Sequence, residues 1–291
     1  MAVWMLTLAR RKRLLAKVGT YAALVAMLVI IYFPVYWMVI TSIKHHNVLF
    51  KLPPEWFPRK PTLLPYYNVI ASGQAEALNF LAYFRNSIIV SASTVFLSII
   101  LATMAGYAFS RFRYAGRRTT LTAILITQMF PLPMLLISFY IMFWRLRLLN
   151  TYTGLIISYT SFALPFCIWM LKGFFDKIPG ELEEAALIDG CSRLQALCKV
   201  ILPLALPGVL AVGVFSFLVA WDEFMFALTL MSQDSMRTIP PGVILSFVGE
   251  FDIRWEDMMA ASIIVTVPVV VIFLGLQKYL IQGLTAGAVK G

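Results

Sequence analysis

Few residues of this chain could carry acid–base or metal chemistry, and they do not converge. The two histidines, His45 and His46, are adjacent, and the three cysteines, Cys167, Cys191 and Cys198, are scattered. Neighbouring imidazoles with no third ligand at a suitable spacing read as a solvated or interfacial pair rather than a metal site. An odd number of cysteines, none in an outward-facing loop, reads as three free thiols. No phosphate-cradling Gly-x-x-x-x-Gly-Lys-Ser/Thr run occurs, nor any Gly-Lys dipeptide. Any nucleotide energy must therefore come from another chain. A group of acids, Glu181, Glu183, Glu184 and Asp189, lies in the segment 172–199.

That segment reads as two short helices rather than a solvated tether. Pro179 suits a first helical position, the glutamates sit at the positive end of the helix dipole, and Asp189-Gly190 supplies a left-handed stop. Ser192 with Gln195 then forms a capping box, and Leu194, Leu197, Cys198 and Ile201 recur at helical spacing. Two short helices are expected. Their apolar stripe must be buried either on the chain's own underside or in a groove of a partner.

The elements that position this segment are membrane spans. Hydrophobic residues make up 60% of the chain and charged residues 13%, against about 25% charged in a soluble domain. The net charge of +10 is confined to short loops between apolar blocks, which points to membrane orientation rather than to nucleic acid. At 1.5 Å per residue, about 20 residues cross about 30 Å of hydrocarbon. Six uncharged stretches qualify: 18–43, 86–110, 119–144, 148–171, 200–221 and 258–277. The first follows a basic run but is too long for a signal peptide and closes on no cleavage site, so it reads as an uncleaved anchor. The stretch 224–233 is too short to span and reads as interfacial or re-entrant.

The chain is thus expected to be an all-α membrane protein, with a tail over 1–17 and a single transmembrane domain over 18–291 that includes the loop 172–199. One side holds 15 Lys+Arg and 5 acids, the other 9 of each, so both termini are placed in the cytoplasm by the positive-inside rule. Pro34, Pro131, Pro133, Pro165, Pro207 and Pro268 interrupt every span except the second. There, Ser98, Ala102, Gly106 and Ser110 repeat small residues at every fourth position, a pattern that admits a close neighbour. Thr127, Gln128, Thr160 and Ser161 are polar groups near the broken regions, suited either to substrate hydroxyls or to interhelical hydrogen bonds. No ionisable residue lies within a span, which weighs against an ion-coupled secondary transporter, the alternative reading, and against an intramembrane enzyme.

The strings ELEEAALIDG and LCKVILPLALPG resemble the E-A-A, three, Gly, nine, I-x-L-P motif of binding-protein-dependent ABC importer permeases. Glu184, Ala185, Ala186, Gly190, Leu202 and Pro203 match in register, while Val200 replaces the usual isoleucine. GYAFSRFRYAGRR from Gly106, AWDEF from Ala220 and QGLTAGAVKG from Gln282 extend the likeness to carbohydrate, maltose-type permeases, with Asp222 where Asn is common.

The resemblance implies a type I ABC importer permease fold in a bacterial or archaeal inner membrane, carrying a sugar or polyol and not itself an enzyme. It implies as partners a second permease, two ATPase subunits that bind ATP and Mg, and an extracytoplasmic solute-binding protein. It assigns ATPase coupling to Glu184, Ala185, Ala186, Asp189 and Gly190, and suggests that Gly287, Lys290 and Gly291 in the tail reach the ATPases. It also places the loop 222–257 against the binding protein, although that segment is apolar enough to pack over the chain's own mouth.

Overall fold

The computed structural model describes residues 2–71, 79–248 and 253–285. In chain order the helices are α1 (Ala2–Ser42), α2 (Leu64–Ala71), α3 (Phe80–Arg111), α4 (Arg117–Ile126), α5 (Leu132–Arg145), α6 (Tyr152–Phe175) and α7 (Gly180–Ile188). There follow α8 (Arg193–Ala196), a turn of π-helix over Leu197–Ile201, α9 (Leu202–Leu204), α10 (Leu206–Trp221), α11 (Met225–Leu230), α12 (Ile239–Phe247) and α13 (Trp255–Thr285). Four helices are long and apolar enough to cross a membrane, and each of two bent pairs adds a span if it crosses as one unit. The expected all-α architecture is observed, with four to six candidate spans among the described residues.

The bends show which prolines matter. Pro34, Pro165 and Pro268 lie inside helices that continue through them. By contrast Pro131 and Pro133 sit where Arg117–Met129 and Leu132–Arg145 meet at 97°, and Pro203 and Pro207 where Arg193–Leu204 and Leu206–Trp221 meet at 82°. A lone proline removes one backbone donor, which neighbouring groups can offset, whereas two within about one turn leave no stable ladder between them. Phe130, ahead of Pro131, is driven to extended backbone (φ −74°, ψ 127°).

The chain divides into two compact units, 1–72 with 249–264 and 73–248 with 265–291. In the first, Thr62 donates its amide to the Ile43 carbonyl at 3.0 Å, and the Ser42 and Tyr66 hydroxyls bond at 2.9 Å. His46 Nδ1 meets Glu256 Oε1 at 3.0 Å, and Asn68 donates to Asp257 at 3.2 Å. Lys44 is buried over the Trp37 ring, 4.7 Å from its centroid; desolvation pulls its ammonium below the usual lysine value against the opposing charge of Glu55. The expected solvated histidine pair is half right, since His46 has an acid partner. No group of three metal-ligating residues forms among the described residues.

The second unit is built on α3, α6 and α10. The small-residue stripe on α3 does what its spacing predicts: Ser98 and Ala102 are fully buried, and a Cβ on Gly106 would lie 3.2 Å from both the Leu171 Cβ and the Lys172 nitrogen on α6. Cys167, Leu171, Phe175, Leu197, Ile201 and Val212 close the half of the core nearest α7 and α8. Tyr159, Phe143, Phe226 and Leu230 close the other half. The short stretch at 224–233 forms α11, which packs between spans instead of crossing. Its amino end is capped by Glu223, whose carboxylate accepts from the Phe226 and Ala227 amides at 2.9 and 3.0 Å and from the Tyr159 hydroxyl at 2.8 Å. Because the Gly106 contact is backbone against backbone, Gly106→Val should separate α3 from α6 at a cost of about 1–3 kcal/mol. Thermal unfolding of the solubilised protein is expected to shift down accordingly, and an unchanged midpoint would refute the close-packing assignment.

Candidate functional site

The segment between α6 and α10 folds as its caps dictate. Helix α7 starts at Gly180, one residue later than expected, because Pro179 itself stays extended (φ −55°, ψ 137°) as the N-cap. It ends in a Schellman turn: the Gly190 amide donates to Leu187 at 3.1 Å and the Cys191 amide to Ala186 at 3.0 Å. Gly190 has φ +86°, the left-handed conformation that its neighbour Asp189 hands over to it. The Ser192–Gln195 capping box forms with both reciprocal bonds.

Burial within this segment departs from the sequence reading. Of the expected stripe, Leu197 and Ile201 join the core, but Leu194 is 67% exposed and Cys198 is exposed too. The π-turn accounts for this: its wider winding brings Ala196, Leu197, Ile201 and Ala205 inward and rotates the other two away. On α7, Ala186 faces inward and Ala185 outward, so the two alanines of the motif have different surroundings. Glu184, Asp189 and Gly190 are exposed, alongside Leu182 and, at 86%, Ile188.

The buried acid is Glu183, which the sequence reading had grouped with the dipole-compensating glutamates. It is 5% exposed. The Tyr107 hydroxyl on α3 donates to Oε1. Oε2 forms an ion pair with Arg111 Nε at 3.0 Å, and Arg193 on α8 reaches Oε1 at 3.5 Å. Arg111 also donates to the Ile178 carbonyl at 2.9 Å, while Ser110 donates to Asp176 at 2.7 Å. One carboxylate thus ties α7 to the Arg111 end of α3 and to α8. Its partner Tyr107 lies 76 residues away in sequence, so no local pattern marks Glu183 as buried.

At the opposite end of this unit the loop after α11 is stitched down. Asn86 donates to the Ser235 and Arg237 carbonyls, both at 2.8 Å, and accepts from the Tyr152 hydroxyl at 2.7 Å. The Tyr83 hydroxyl donates to Asp234 at 2.6 Å, as does Arg237 Nη1 at 2.6 Å. Desolvation pushes the Asp234 carboxyl up, but the Tyr83 and Asn79 hydrogen bonds and the Arg237 charge outweigh it and hold it below the ordinary carboxylate value. This stretch packs on the start of α3.

The polar groups near the breaks are mostly used internally. Gln128 donates to the Phe162 carbonyl at 2.8 Å, Thr127 to Ile124 at 2.6 Å and Ser161 to Ser158 at 2.7 Å. Thr160 is buried with no hydrogen-bond partner among the described residues. Gly287, Lys290 and Gly291 lie outside the described residues.

A multi-span bundle that carries a capped, exposed helix between two of its spans is the architecture of a transport permease subunit. The chain belongs to the family described as binding-protein-dependent transport system inner membrane component, which matches residues 80–286. It is an ABC importer permease of the inner membrane, a transport subunit rather than an enzyme, and this places it apart from ion-coupled carriers. It is 39% identical to the sulfoquinovosyl glycerol transport system permease protein SmoH of Agrobacterium fabrum, over 89% of both chains. It is 35% identical to the trehalose/maltose transport system permease protein MalG of Thermococcus litoralis, over 96% of this chain and 98% of that one. A crystal structure of a bacterial ABC transporter importing the polysaccharide alginate has a chain with the same fold, at TM-score 0.77 and 23% identity, covering 90% of this chain and 95% of that one.

Glu183→Ala would leave Arg111 partly buried without its partner, at a cost of about 3 kcal/mol. Amide exchange in α7 should accelerate accordingly while α10 keeps its protection. Unchanged α7 exchange would remove Glu183 from the anchoring role.

Proposed function

We propose that this chain forms half of the translocation pathway of an ATP-driven importer for a sugar or polyol, and that α7 is the helix through which a cytoplasmic ATPase moves it. The observation that carries the reading is the outer face of α7, where Leu182, Glu184, Ala185 and Ile188 stand exposed beside the Asp189-Gly190 turn. Large apolar groups on a short helix that is locked from behind fit a cleft of a partner protein. Ala185 permits close approach, and Glu184 suits a basic group in that cleft.

In this reading a second permease completes the pathway, and two ATPase subunits bind ATP with Mg and close on each other. Closure displaces α7, and the Glu183 anchor passes the displacement to α3 through Tyr107 and Arg111. A solute-binding protein delivers substrate from the other side, onto the outer ends of α3 and α6 and the strapped loop at 232–241. The sugar class is supported by the relatives, whose names specify glycosides: sulfoquinovosyl glycerol, trehalose and maltose. The tail residues Gly287, Lys290 and Gly291 extend toward the ATPases, a role supported by the sequence resemblance alone.

Ala186 faces the bundle, so a bulky substitution there attacks packing. Docking is tested at Ala185 and Ile188. Ala185→Arg or Ile188→Asp should leave the permease in the membrane and reduce whole-cell uptake by about thirtyfold, the scale of one central interface contact of about 2 kcal/mol. Normal uptake in both variants would exclude α7 as the docking helix.

Orientation follows the charge distribution, with both termini in the cytoplasm. In a background with the three native cysteines replaced by serine, Ser235→Cys should react with an impermeant thiol reagent added outside intact cells, and Gly116→Cys should not. Both positions are exposed in the folded chain, so reversed labelling would invert the topology.

A further inference from the structure

The positive charge at the cytoplasmic end of the second unit is not all used for internal pairing. Arg111 and Arg193 meet Glu183, and Lys172 meets Asp176. Arg113, Arg117 and Arg118 have no carboxylate partner among the described residues, yet they line one cavity of about 590 Å³ together with Lys172, Tyr114 and Leu121. Three arginines without a carboxylate partner around one concavity repel one another and raise the local concentration of anions, while Lys172 in the same wall is paired with Asp176.

The cavity's surroundings define the anion. It is bounded by the end of α3 at Arg111, the start of α4 at Arg117 and the last turns of α6 before Phe175. Three span ends meet there, which is the level of the lipid headgroups. Along α4, Arg117, Leu121 and Leu125 follow one another at four-residue spacing, so a cationic mouth leads onto an apolar face that runs into the hydrocarbon. The exposed Ile126 continues that apolar surface.

We propose that this cavity is a binding site for an anionic phospholipid, its phosphodiester held by Arg113, Arg117 and Arg118 and its acyl chain lying along α4. Guanidinium forks suit phosphate oxygens bidentately, and basic pockets between spans on the cytoplasmic side are the setting in which such headgroups are held. The site rests on the proposed orientation only in naming the leaflet. Lipid retention in detergent does not depend on orientation, and thiol labelling does, so the two readings fail separately.

The test uses the assembled transporter, stripped of lipid and offered phosphatidylglycerol and phosphatidylcholine in equal amounts, with retained lipid read by native mass spectrometry. The wild type should retain phosphatidylglycerol in preference. Combined Arg113→Gln, Arg117→Gln and Arg118→Gln should weaken that retention on the order of a hundredfold, the effect of three cations near an anionic headgroup. A charge-matched control in the outer loop, Lys51→Gln with Arg59→Gln and Lys60→Gln, should retain it as the wild type does.

No preference for phosphatidylglycerol in the wild type overturns the proposal, whatever the variants do. Undiminished retention in the arginine variant overturns it as well. Displacement of the lipid by an equal concentration of inorganic phosphate would make the cavity a site for a soluble anion. Loss of ATPase subunits from the arginine variant with lipid retention intact would make the surface a protein-docking face.

Discussion

The carboxylate of Glu183 is the constraint on which the arrangement of α3, α7 and α8 depends. Desolvating an acid is costly unless opposite charge and hydrogen bonds offset it, and here Tyr107, Arg111 and Arg193 supply both. The result is directional. Two of the three partners belong to α3, the helix that also packs closely on α6 through Gly106. A short helix that would otherwise be a loose appendage becomes a rigid extension of the bundle's central span, and its free face can transmit force rather than absorb it.

The broken spans serve the opposite purpose. Where α4 bends into α5 and α9 into α10, paired prolines open the backbone ladder, and the freed groups are tolerated only against protein or in a cavity. Gln128, beside the first break, gives its amide to the Phe162 carbonyl on α6. Stiff elements joined by proline joints can reorient without unfolding, as alternating access requires.

Much of this was legible in the sequence. Four of the six uncharged stretches lie in helices long enough to span and the other two in bent pairs, and Ser98, Ala102 and Gly106 faced a neighbour as their spacing requires. Asp189-Gly190 and Ser192–Gln195 formed the turn and cap that their types specify, because caps and left-handed turns are decided by a few adjacent atoms. The misses have physical causes as well. The π-turn at Leu197–Ile201 rotated Leu194 and Cys198 outward, and periodic reasoning assumes constant winding. Glu183 was grouped with Glu181 and Glu184 at the positive end of the helix dipole because its partners at Tyr107 and Arg111 are remote in sequence, and pairing at that distance has no local signature. The strapped outer loop depends on Asn86 and Tyr83 in the same way.

The central claim is that α7 and α3 move as one body. Spin labels at Glu181 and Met104, an exposed position on each helix, report their separation by pulsed electron resonance in the assembled transporter, with and without a non-hydrolysable ATP analogue. The account predicts a single narrow distance distribution, unchanged by nucleotide. A nucleotide-dependent shift between the two labels would show that the docking helix moves independently of the span, and would contradict it.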